Sequence, residues 1–225
     1  MTIKKHSITA AIAIAAALAA PHAMAQFGGL SKLVGGGSSS TSSIDPDAFL
    51  ASAKTAEKLM INSVTLLSQS LASKEKAAGL KAERAAASAI TDPAERQAKL
   101  LEVQKNELAA ANEATGSAKI EDQIKGMDAS RKADLASAAF NFALAFLQDK
   151  ALMEQSSSLI SSISSNPMQL AKLGSIKDVG SSLANQVSAA SSIVGKMPKI
   201  FSAVGIEAPT SKDAKPKTVA QVSGE

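Results

Sequence analysis

The side chains able to do chemistry in this sequence are carboxylates, lysines and serines, because the other reactive types are missing or sit at the extreme N-terminus. The chain has no Cys, Trp or Tyr, and its two histidines are His6 and His22. A serine nucleophile needs a base beside it, and no G-x-S-x-G turn is present to present one. The S-x-x-K spacing of a Ser–Lys dyad occurs at Ser73-Lys74-Glu75-Lys76. In a helix rich in charge, that lysine reads as a solvated surface residue. Thiolate metal sites are excluded by composition, and imidazole sites by the position of the histidines.

Carboxylates alone can hydrolyse glycosides when one acid of raised pKa stands a few ångströms from a second. Glu57, Glu75, Glu83, Glu102, Glu107 and Glu113 fall in stretches whose charges alternate in sign, the pattern of a solvent-facing helix. Sugar subsites are commonly lined with Trp and Tyr, which this chain lacks. Glu121-Asp122 is a pair of adjacent carboxylates without the ligand spacing of a calcium loop. Gly35-Gly36-Gly37 follows no strand and so makes no phosphate cradle. The sequence is therefore expected to carry no catalytic residue, no cofactor-binding residue and no metal ligand, and to be no enzyme.

The elements around these residues explain the pattern. Lys4 and Lys5 precede an apolar run from Ile8 to Ala20, Pro21 breaks it, and Ala23-Met24-Ala25 offers a small-x-small cleavage site before Gln26. Residues 1–25 are expected to be a secretory signal peptide, since the run is shorter than the roughly 20 residues that cross a membrane. Its removal takes both histidines. It also reduces the 24 basic residues to 22 against 20 acidic ones, a net charge near +2. With no block of five like charges, electrostatic capture of nucleic acid is not expected. An exported chain without cysteine must be stabilised by burial.

Residues 26–44 are rich in Gly and Ser and are expected to form a flexible leader. Asp45-Pro46 then supplies an N-cap and a first-turn proline. Phe49, Ala53, Ala56, Met60, Val64, Leu67 and Leu71 follow at helical steps, with a thinner face continuing through Ala78, Ala82 and Ala86 to Ile90 and a break near Ser73. Asp92-Pro93-Ala94-Glu95 starts a second segment with Ala98, Leu101, Leu108 and Ala111 as its expected buried stripe. Asp128 starts a third, the most apolar, which Asn166-Pro167 ends. A fourth carries Ile176, Val179, Leu183, Val187, Ala190, Val194 and Met197. The fold class expected is all-α: an elongated antiparallel four-helix up-down bundle over residues 45–206, with segments of about 60 Å and a disordered tail at 207–225.

Leu135 to Leu147 is apolar almost all round, broken only by Ser137 and Asn141 and bracketed by Asp134 and Asp149. Such a stretch reads first as the central helix of a bundle. The functional expectation is an exported, non-enzymatic interaction protein of the periplasm or extracellular space, a scaffold, adaptor or holdase. Its partner would be an unidentified protein or a second copy, with no small-molecule site evident. The alternative is a membrane-active or lipid-binding protein using residues 135–147, and a carboxylate-only hydrolase ranks third.

Overall fold

The computed structural model describes residues 45–165 and 167–218, so the expected signal peptide and leader lie outside the described residues. The described residues form seven α-helices and no strand: α1 (Pro46–Leu71), α2 (Lys74–Ser88), α3 (Pro93–Thr115), α4 (Ile120–Lys125), α5 (Ala129–Ser164), α6 (Leu173–Val194) and α7 (Met197–Val204). A 3₁₀ turn at Pro167–Lys172 joins α5 to α6. Three helices start where short acidic residues can satisfy free backbone N–H groups. Asp45 accepts from Asp47 N at 3.2 Å, Asp92 from Glu95 N at 2.8 Å and Asp128 from Arg131 N at 2.8 Å.

The four expected segments thus become seven helices, and the order of directions changes at the first break. Ala72 and Ser73 are both extended, and the Ser73 hydroxyl caps a new helix by accepting from Lys76 N. Had α2 continued α1, Thr65 and Arg84 would lie about 28 Å apart at 1.5 Å per residue. Both instead bond the same carboxylate, that of Glu107. The chain therefore reverses at Ser73, and α2 returns beside the end of α1. From there α3 runs antiparallel to α2, as the pairs Lys76–Glu113 and Arg84–Glu107 require. The start of α5 meets the end of α1 through Arg131 Nη2 donating to Ser70 O at 2.8 Å. Ile163 late in α5 shares a core cluster with both Phe49 early in α1 and Ile176 early in α6. Five long helices consequently alternate in direction, where the sequence suggested four.

The core has two parts strung along the α1–α5 contact. One gathers Leu59, Met60, Val64, Leu67 and Leu71 of α1 with Leu135, Ala138, Ala139 and Phe142 to Ala145 of α5, closed by Ile120, Ile124, Ile193, Met197 and Ile200. The other holds Phe49, Ala53, Ala56, Leu152, Leu159, Ile163, Ile176 and Leu183. Helices α5 and α6 approach closely at Gly180, where an added Cβ would stand 2.9 Å from Ser156 Oγ.

Two expected faces differ, that of α2 throughout and that of α3 in its first half. Ala78, Ala82 and Ala86 of α2 are exposed while Leu80 and Ala87 are buried; in α3 Leu108 and Ala111 pack inward as expected, but Ala98 and Leu101 are exposed while Val103, Glu107 and Ala110 are buried. The Arg84–Glu107 pair sets charged residues among the inner positions of both helices, where an apolar pattern alone places none. Residues 207–218, expected as part of the tail, form no helix but lie against α5. Asn141 bonds Lys217 there and Gln148 bonds Lys212. Gly205 turns the chain out of α7 toward that position with φ 72, a left-handed conformation that suits a residue without Cβ.

Phe142 is fully buried in the larger core. Phe142→Asp should therefore lower stability by several kcal/mol, much of the roughly 5–15 kcal/mol that holds a domain together. Chemical denaturation of the variant measures this, and a midpoint equal to the wild type would overturn the central placement of α5.

A buried carboxylate seam as the candidate functional site

The two core clusters do not merge, and the gap between them is acidic. On α1, Ala56 belongs to one cluster and Leu59 to the other, with Glu57 between them. On α5, Ala145 and Leu152 flank Asp149 in the same way. Asp149 is 0% exposed, and neither carboxyl oxygen has a hydrogen-bond partner among the described residues. Burial, with the nearby Glu57 carboxylate adding in the same sense, pushes its pKa up from the ordinary 3.8 to about 7. The Glu57 carboxyl is itself raised by burial, an effect that Lys54 partly offsets.

Asp149 is thus placed to hold a proton. A carboxylate without donors in an apolar interior is costly, and the neutral acid is the form the surroundings accommodate. The pair has the raised pKa that acid catalysis asks for, but Asp149 has no exposed surface through which a substrate could reach it. Among the described residues, no group of three or more His, Cys, Asp or Glu is placed to hold a metal ion.

The residues weighed for chemistry are scattered. The Ser73 hydroxyl caps α2 and the Lys76 ammonium pairs with Glu113, so the S-x-x-K spacing does not bring hydroxyl and amine together. Glu121 and Asp122 are both exposed. Glu75, Glu83, Glu102 and Glu113 face solvent as expected. Lys99 donates to Glu102 at 2.7 Å, and Asn106 donates to Glu83 at 3.2 Å.

Glu57 and Glu107 depart from that expectation. Glu107 is 0% exposed and takes a forked contact from Arg84, with Nε at 2.8 Å from Oε1, while Thr65 Oγ1 donates to Oε2 at 2.8 Å. This is the arrangement that makes a buried charge tolerable, with both oxygens supplied with donors. Asp149 lacks it entirely, and the contrast singles it out. By charge alone Asp149 marks the border of the apolar stretch. Its spacing from Ala145 and Leu152, four before and three after, is the signal that it shares their buried face.

No family model, curated protein or solved structure matches this chain.

The charges fix two expected outcomes. The folded state holds the Asp149 proton at pH values where the unfolded chain has released it. The stabilisation is therefore complete below about pH 3.8, falls as pH rises, and is gone above about pH 7. With Glu57 acting in the same sense, the denaturation midpoint should fall between pH 5 and pH 8. Asp149→Asn should flatten that slope and raise stability at pH 8 by a few kcal/mol, because each tenfold change in proton affinity is worth about 1.4 kcal/mol. A wild-type curve that rises with pH over this range would contradict the assignment. Arg84→Met should cost on the order of 3 kcal/mol by stranding Glu107, and adding Glu107→Leu should recover most of the loss. A double variant as unstable as the single one would show that the pair does more than neutralise itself.

Proposed function

We propose that the chain is an exported, non-enzymatic helical interaction protein of the periplasm or extracellular space, serving as a scaffold, adaptor or holdase. The observation that supports an interaction role is the outer face of α2 and α3. Only Leu80 and Ala87 of α2 are buried, while Ala78, Ala82, Ala85, Ala86 and Ala89 are exposed. On the neighbouring α3, Leu101 is 42% exposed, one of only two large apolar side chains so exposed among the described residues. Two long helices that contribute little to the core yet carry small apolar residues outward offer a low-relief surface on which another helix can lie close.

Export is supported by residues 1–25 alone: two lysines, an apolar run and Ala23-Met24-Ala25. Among the described residues no helix is long and apolar enough to cross a membrane. The membrane-active alternative would require Leu135, Ala138, Ala139, Phe142 and Leu144, all 0% exposed, to leave the core.

The exported form should begin at Gln26, and a photoreactive amino acid at Leu101 should cross-link to another polypeptide in the native compartment. N-terminal sequencing and mass spectrometry of the cross-linked band read both. An intact Met1 would overturn export, and cross-linking no greater than from a probe at exposed Lys150 would overturn the α2–α3 surface.

A further inference from the structure

The C-terminal segment shows a second surface, on a different helix, that does not depend on the α2–α3 reading. Asn141 interrupts the apolar stretch of α5 and is 4% exposed. Its amide takes both main-chain groups of one residue: Nδ2 donates to Lys217 O at 2.8 Å, and Lys217 N donates to Oδ1 at 2.7 Å. A side-chain amide used this way grips extended backbone without regard to the side chain it carries. Gln148, also nearly fully buried, donates from Nε2 to Lys212 O at 3.0 Å. Between these anchors Ala214 rests on the larger core, and Lys217 Nζ stands 4.9 Å from the centre of the Phe140 ring.

The segment uses this surface incompletely. Gln148 Oε1 is buried without a partner among the described residues, and so is Oε1 of Gln155, the next amide on the same stripe. Seven residues advance a helix by about 10.5 Å in nearly two whole turns, so positions 141, 148 and 155 line up. A chain in polyproline II conformation repeats its facing every three residues, about 9.3 Å, close to that spacing. The cis segment cannot follow the stripe because it folds into a turn, with Ala214 N donating to Ser211 O at 3.2 Å. A straighter chain that followed the stripe would have main-chain N–H groups to offer both acceptors.

We propose that the Asn141–Gln148–Gln155 stripe of α5 is a docking groove for an extended, proline-containing segment of a partner protein that places a lysine over Phe140, and that residues 212–217 occupy it in cis. The fit of the cis segment defines the chemistry of the ligand. Pro216 holds Lys215 extended, Ala214 is small enough to sit on the core, and Lys217 supplies the cation. A tethered segment has an effective concentration on the order of millimolar. The two acceptors it leaves unused are what a trans segment gains in competing with it.

The test uses the full-length chain with Ala214→Asp and Lys217→Glu, which weaken the cis segment and leave α5 unchanged. The probe is a fluorescein-labelled peptide with the sequence of residues 206–218, followed by anisotropy. Saturable binding is expected, at least about tenfold tighter than to the wild type, whose own segment competes. Adding Asn141→Ala should abolish it, and adding Gln155→Leu should weaken it, although Gln155 makes no hydrogen bond to the cis segment. No saturable binding to a variant with wild-type circular dichroism, or binding indifferent to Asn141, overturns the groove.

Should that variant fail to fold, hydrogen exchange on the wild type decides. Peptide at about millimolar concentration should speed exchange at 212–217 while α5 stays protected, and unchanged exchange overturns the proposal. Cross-linking from Leu101 with no peptide binding would leave the α2–α3 surface standing and remove only this one.

Discussion

Every other element of the molecule leans on the antiparallel contact between α1 and α5. The two helices meet along their whole length, from Phe49 against Ile163 at one end to Ser70 against Arg131 at the other. Helix α6 packs on α5, while α3 packs on α1 and carries α2 with it. Helices α4 and α7 close the end where the larger core sits. A bundle arranged this way draws its stability from one interface, because α2 and α3 bury too little to be held by anything else. The acidic seam lies within that same interface, so ionisation of Asp149 acts on the contact that all the rest require.

How much of this could be read from the residues follows from which faces are purely apolar. All seven positions marked on α1, from Phe49 to Leu71, are buried, and on α6 the stripe from Ile176 to Ala190 is inward or partly so. The breaks near 91, 127 and 166 are where Asp-Pro, Gly-Met-Asp and Asn-Pro place them. Reading failed where burial is polar. A buried Arg84–Glu107 pair looks like surface charge in a one-dimensional pattern, and with it went the expected face of α2 and the first half of that of α3. The break near Ser73 was legible but the reversal of direction there was not, because two residues between helices carry no glycine or proline to announce a turn.

The seam and the groove escaped for a related reason. Asp149 reads from its charge as a boundary, and Asn141 as a lone interruption, when each is defined by what lies opposite it in space. Asn141 faces a segment 76 residues later in the chain, a distance over which sequence periodicity says nothing. That segment is rich in Lys and Pro, which reads as disorder. It is held instead by main-chain groups that are the same whatever side chains they carry.

The close approach of Gly180 to Ser156 has a mechanical consequence. With an added Cβ standing 2.9 Å from the serine hydroxyl oxygen and 3.3 Å from its Cβ, any residue larger than glycine would have to push Ser156 aside. The gap acts as a notch. If α6 slid by one residue along α5, Ser181 or Val179 would bring a side chain to the place where only a Cα fits, and the helices would be forced apart. Axial register between α5 and α6 is thus fixed by a missing atom, which is why α6, with no charged side chain between Asp178 and Lys196, needs no ion pair to tell it where to stop.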